Sequence, residues 1–104
     1  MSKKPSLILQ VISGPLDGLE ITLTHTMDLS TTGQTPLSFP WDDELGAPQA
    51  TFGLEDGHWT VTAHDSPHHT YRINTEEMIK GKILLAKGDV LKASRTWLIV
   101  INCD

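Results

Sequence analysis

The chain has 104 residues, 38% of them hydrophobic and 20% charged, enough for one domain with a modest core and too few for two. Thirteen acidic against eight basic residues give a formal net charge of −5 with histidines neutral, which argues against the clustered cationic surface that a nucleic-acid backbone requires. A single cysteine, Cys103, can form no intrachain disulfide, and no stretch reaches the ~18 apolar residues of a membrane span.

The opening "MSKKPSLILQVISG" starts basic, but its apolar run is too short and too alternating for a secretory leader. A cytoplasmic domain with a free thiol and no membrane insertion is expected. Leu7, Leu9 and Val11 alternate with Ile8, Gln10 and Ile12, which reads as a strand with apolar material on both sides. "SGPLDG" is a turn, and "LEITLT" alternates with Leu19, Ile21 and Leu23 on one face, giving a hairpin. Further short runs follow at intervals of roughly 8–12 residues, as a sandwich requires: "TMDLS", "LSFPW", "ATFGL", "HWTVTA", "TYRIN", "KILLAK", "DVLKAS" and "TWLIVI". Asp56-Gly57 in "LEDGHW" suits the positive φ angles of a two-residue hairpin turn. Only "NTEEMIKGKILLAK" tolerates a helix, and Gly81 limits it to one turn around Thr75 to Met78. The fold class is all-β: a two-sheet antiparallel β-sandwich, one domain over 1–104 with its core at about 7–101.

The order of these breaks resembles that of a forkhead-associated (FHA) domain, over nearly the whole chain from Leu7 to Ile101. The likeness rests on "GPLDG" after the first strand, "TTGQ" where the family has Gly-Arg, and "DDELGAPQATF" in place of Ser-Arg-x-His-Ala. It continues through "EDGHWTV" as the Gly-x-Trp hairpin, "DSPHHTYRIN" as the Ser-x-Asn-Gly-Thr loop, and "LAKGDVLKAS" with its Gly-Asp turn. The resemblance implies a sandwich of the SMAD/FHA type that binds phosphothreonine peptides through loops at one end. The family's binding residues are the ones that differ. Gln34 stands for the strand-end arginine, Gly46-Ala47 for Ser-Arg, Gln49 for the bracing histidine, and His68-His69 for Asn-Gly. Ser66 and Thr70 still bracket the last loop. Losing two guanidinium groups and a hydroxyl, each bond to a charged group being worth ~1.5–3 kcal/mol, weakens phosphate capture by several powers of ten.

The resemblance therefore points to a non-catalytic protein–protein interaction module that docks a protein or peptide partner independently of phosphothreonine and needs no cofactor. Such modules occur in larger bacterial assemblies, secretion systems among them. The candidate contact loops are 30–36, 42–49 and 64–71, with Thr32, Gln34, Trp41, Asp43, Gly46, Gln49, Ser66, His68, His69 and Thr70 as candidate residues. A second reading keeps phosphopeptide binding through Thr31, Thr32, Gln34 and protonated His68 or His69. A third takes His64, His68 and His69, with Asp65, as a metal site, although Ser66-Pro67 breaks any helix that would align them. Ser66 lacks the setting of an activated nucleophile, and Asp42, Asp43 and Glu44 read as an exposed acidic turn rather than a calcium loop. Trp59 and Trp97 are expected in the core, and Trp41 at a loop mouth, as a lid or an aromatic anchor for a partner. Partner identity and oligomeric state are not written in the sequence.

Overall fold

Strand alternation decides which side of each segment is buried, and the computed structural model follows it through the residues it describes, 6–32, 36–64 and 69–103. The strands are β1 (Leu7–Val11), β2 (Glu20–Leu23), β3 (Met27–Leu29), β4 (Ala50–Glu55), β5 (His58–Ala63), β6 (Thr70–Arg72), β7 (Glu77–Met78), β8 (Lys82–Leu84), β9 (Val90–Ala93) and β10 (Thr96–Cys103). They form two sheets, β2-β1-β10-β9-β6-β7 and β3-β4-β5-β8, whose paired strands are antiparallel. Between the sheets lie Leu7, Leu9, Val11, Leu98 and Val100 from one side and Ala50, Phe52, Trp59 and Val61 from the other, none more than 2% exposed. The β4–β5 turn has φ of 51° at Asp56 and 78° at Gly57, the two left-handed positions expected of Asp-Gly.

Three expectations need correction. "LSFPW" is not a strand, because Pro40 lies within it, Pro36 precedes it and only Ser38 bridges, to Ser30. Leu37 and Phe39 are nevertheless fully buried, so the apolar spacing there pins a loop to the core. The helical turn expected at Thr75 to Met78 is a 3-10 turn over Ile73–Thr75 instead. Glu76 takes φ of 54°, which reverses the chain into β7. Trp97 is outside the core: it lies half-exposed on the outer face of the larger sheet, with the Lys92 ammonium 5.5 Å from its ring centroid. Trp59 is buried as expected, at 2% exposure.

The register places four connections at one end of the sandwich. Val11 pairs with Leu98, Leu29 with Ala50, Ala50 with Ala63, and Thr70 with Ala93. The β1–β2, β3–β4, β5–β6 and β9–β10 connections therefore emerge together.

Candidate functional site

Two buried polar side chains hold these end loops, and both reach far along the chain. Asp42 is wholly buried. Its carboxylate accepts hydrogen bonds from Ser94 Oγ (2.9 Å), the Arg95 backbone N–H (2.9 Å) and Thr96 Oγ1 (2.8 Å). The Arg95 guanidinium lies 3.8 Å from Asp42 and donates to Asp43 at 2.8 Å. The β3–β4 segment is thus fastened to the β9–β10 turn, where Ser94 has φ of 55°. The expected exposed acidic turn is corrected at its first residue: Asp43 and Glu44 face solvent, but Asp42 is a structural acceptor.

Gln49 is the second brace. Also fully buried, it accepts from the Gly46 N–H through Oε1 (2.7 Å) and donates from Nε2 to Thr70 Oγ1 (3.0 Å). One amide closes the 46–49 turn and ties it across the sandwich to the first residue of β6. Gly46 is buried, and its carbonyl accepts from the Thr31 N–H at 3.2 Å. The Thr31 hydroxyl is directed to the Phe39 carbonyl at 3.5 Å. Thr32 is exposed, its hydroxyl 3.3 Å from that of Ser30, whose Oγ also accepts the Thr32 N–H. Gln34, Asp65, Ser66 and His68 lie outside the described residues.

Trp41 is half-buried against the core rather than extended into solvent, and it covers the β1–β2 turn. A Cβ built on Gly14 would stand 2.5 Å from the indole ring, so glycine is required beneath it; φ of 70° there adds a second reason. The indole N–H is buried with no partner among the described residues.

On the other side of the end, His64 and His69 are exposed beside a cleft of about 270 Å³ that also includes Lys80. His64 Nε2 is 2.6 Å from Thr51 Oγ1, and that hydroxyl donates to Asp28 Oδ1, also at 2.6 Å. Because the hydroxyl proton goes to the carboxylate, the Thr51 oxygen must accept from His64, which fixes the proton on Nε2. Sequence spacing gave no sign of this chain, since its members sit on β3, on β4 and just beyond the end of β5. Among the described residues no group of three His, Cys, Asp or Glu side chains is placed to hold a metal. Arg72 is engaged elsewhere: its guanidinium donates to Glu77 and lies 3.8 Å from Asp89. These carboxylates, Glu77 foremost, outweigh burial and hold its pKa above the ordinary guanidinium value.

The exposed outline of the 43–48 loop is therefore Asp43, Glu44, Ala47 and Pro48. Of the sequence-derived candidates, the fold gathers Thr32, Asp43, Gly46, Gln49, His69 and Thr70 at one end. Gly46, Gln49 and Thr70 are buried there as supports, while Thr32, Asp43 and His69 are presented outward. Among the described residues no helix is long and apolar enough to cross a membrane.

No protein-family model and no curated protein matches the sequence. Solved structures do match. The FHA domain of an Arabidopsis thaliana hypothetical protein superposes with a TM-score of 0.82 at 19% identity, over 96% of this chain and 90% of that one. The FhaA FHA domain, complexed with the intracellular domain of Rv3910, gives 0.76 at 18% identity over 90% and 98%. An FHA domain analysed for phosphothreonine-dependent interactions gives 0.76 at 19% identity over 91% and 94%. At such identities the likeness speaks for the fold, and it agrees with the strand order and the gathered end loops: the chain has the forkhead-associated fold.

Proposed function

We propose that this domain is a non-catalytic protein-interaction module that docks a protein or peptide partner through its end loops without requiring phosphothreonine. The observation that carries the reading is the outline of the 43–48 loop. The family resemblance calls for a hydroxyl and a guanidinium at Gly46-Ala47; there the chain has a buried glycine and an alanine, and the loop around them turns outward two carboxylates and a proline. The neighbouring Arg95 is already matched by Asp42 and Asp43. A dianion approaching this rim meets repulsion instead of the several charge-assisted donors it needs.

Binding of a protein partner is the mode of the FhaA domain, solved with the intracellular domain of Rv3910. Asp43 and Glu44 favour a partner with a basic contact segment. A cytoplasmic place in a larger bacterial assembly, such as a secretion system, fits this role. A hydrolytic role is disfavoured by the direction of the Asp28–Thr51–His64 chain. Imidazole donates to the Thr51 hydroxyl instead of accepting from it, so His64 does not stand as the base of a Thr-His pair.

The test is affinity capture from the source cell's extract, with and without phosphatase treatment. Capture that survives phosphatase and is lost in Asp43→Lys, with the melting temperature unchanged, is the expected result. Phosphatase-sensitive capture, or binding of a phosphothreonine peptide library at about pH 5.5 or about pH 7.5, would replace this reading with phosphopeptide recognition through the histidines.

A further inference from the structure

The first strand carries apolar residues on both sides, and only one side is used. Leu7, Leu9 and Val11 face the core, while Ile8 and Ile12 point to the opposite face of the larger sheet. Across that outer face, Trp97 and Ile99 on β10, Val90 on β9 and Tyr71 on β6 continue the apolar surface. All are half-exposed or exposed, and no described element lies over them. The outer face of the smaller sheet is different. It carries Asp28, Thr51, Thr62 and Lys82 around one exposed apolar residue, Leu84 on its edge strand, so its apolar surface is confined to that edge. On the larger sheet, Ile12, Trp97, Ile99 and Val90 adjoin one another on the central strands of a domain with net charge −5, and such a patch marks an interaction surface.

We infer that the outer face of the larger sheet is a self-association surface on which a second copy of this chain docks face to face. Two charges, one at its β2 edge and one among its apolar residues on β9, select that occupant. Glu20 lies on the β2 edge, in the row Glu20–Gln10–Ile99 that runs on to Val90, while Lys92 lies on β9 in the next row, Ile12–Trp97–Lys92. A two-fold axis between β1 and β10, parallel to the strands, lays β2 of one copy over β9 of the other. Glu20 then faces the partner's β9 with an offset of one row, about 7 Å along the strand, which the two long side chains span. The arrangement repeats by symmetry, so both pairs form, while Trp97, Ile99 and Ile12 meet at the centre.

Size sets the strength. The axis overlaps four strands, β2, β1, β10 and β9, which at about 4.8 Å each and five residues at about 3.4 Å outline roughly 19 by 17 Å. Two such faces enclose about 650 Å² before side-chain relief is counted, which makes the contact a weak, transient one.

Sedimentation equilibrium from about 10 µM to about 500 µM should show a monomer–dimer equilibrium that closes at the dimer. Ile99→Lys should weaken it roughly tenfold or more while the melting temperature holds, because the residue lies outside the core. Glu20→Lys and Lys92→Glu should each weaken it, and the double exchange should restore it. A chain that stays monomeric over the whole range, mass that rises without a plateau, or a dimer indifferent to Ile99→Lys overturns the inference. So does a double exchange that fails to rescue, or a monomer that binds lipid vesicles through this face instead.

Discussion

Asp42→Ala is the perturbation that most directly tests how the end of the sandwich is held. The wild-type carboxylate accepts three hydrogen bonds at 2.8–2.9 Å, from Ser94 Oγ, Arg95 N and Thr96 Oγ1. Two consequences of removal can be separated. Ser94 is half-buried and turns its hydroxyl to water, whereas Thr96 is 1% exposed and its hydroxyl loses its acceptor. A buried donor left without a partner costs about 1–3 kcal/mol, and each lost bond to a charged group about 1.5–3 kcal/mol before solvent recovers part of it. The Arg95 pair adds little, since its side chain is 60% exposed and screened. The expected loss is about 3–5 kcal/mol, a large share of a small domain's stability. Asp42→Asn should lose about 2–3 kcal/mol: its amide oxygen must face the fixed Arg95 N–H, leaving neutral bonds and a reversed Ser94 hydroxyl. Urea unfolding measures both, and Thr96→Val completes a cycle. With Asp42 present, Thr96→Val forfeits a bond; with Asp42→Ala, it removes an orphaned hydroxyl, so the two changes should couple by about 1–2 kcal/mol. A loss below about 1 kcal/mol for Asp42→Ala, or strict additivity with Thr96→Val, would refute the assignment of Asp42 as the anchor of this end.

Trp59→Ala should cost about 3–5 kcal/mol in urea unfolding, the range for a buried aromatic truncated in a core. Trp59→Phe should cost far less, because the buried indole N–H has no partner among the described residues to lose. Gly14→Ala should lose about 2–4 kcal/mol, from its left-handed backbone and the 2.5 Å approach to the Trp41 ring. In a Trp41→Ala background the same change should cost only the backbone share, about 1 kcal/mol, as read from paired thermal melts. Gln49→Ala should lose about 2–4 kcal/mol by orphaning the Gly46 N–H and removing the bond to Thr70. Hydrogen exchange at Gly46 should rise at the same time, and an unchanged rate there would count against the brace.

The sandwich was legible because period-2 alternation and turn residues are local signals. "HWTVTA" coincides with β5, and Asp56-Gly57 turns as its residue types dictate. "LSFPW" misled because Leu37 and Phe39 are buried at strand spacing although the segment pairs only at Ser38. Burial alone cannot distinguish a strand from a loop pinned to the core. Trp97 misled for the opposite reason: its alternation is real, but alternation does not say which face is covered. Long-range polar partners leave no local trace at all. Asp42 looked like one of three surface acids because its acceptor role depends on a turn 52–54 residues away. Gln49 marked a bracing position through family resemblance, whereas its bond to Thr70, 21 residues on, arises only when the two sheets close on each other.

The end loops and the sheet face meet only at Tyr71, and the symmetry of the face bears on the loops. An axis parallel to the strands preserves strand direction, so both copies of the dimer present their end loops on the same side; an axis across the strands would point them apart. The dimer is thus a bivalent reader. A partner displayed at high density should be held by both copies, with the second contact made at an effective concentration set by the dimer rather than by the solution. Once a partner is captured, wild-type protein should leave a densely coated surface at least about tenfold more slowly than Ile99→Lys, while the two bind soluble monovalent partner equally. Surface plasmon resonance at high and low partner density makes the comparison. Equal departure rates at both densities would mean that the end loops act one copy at a time, whatever the sheet face does.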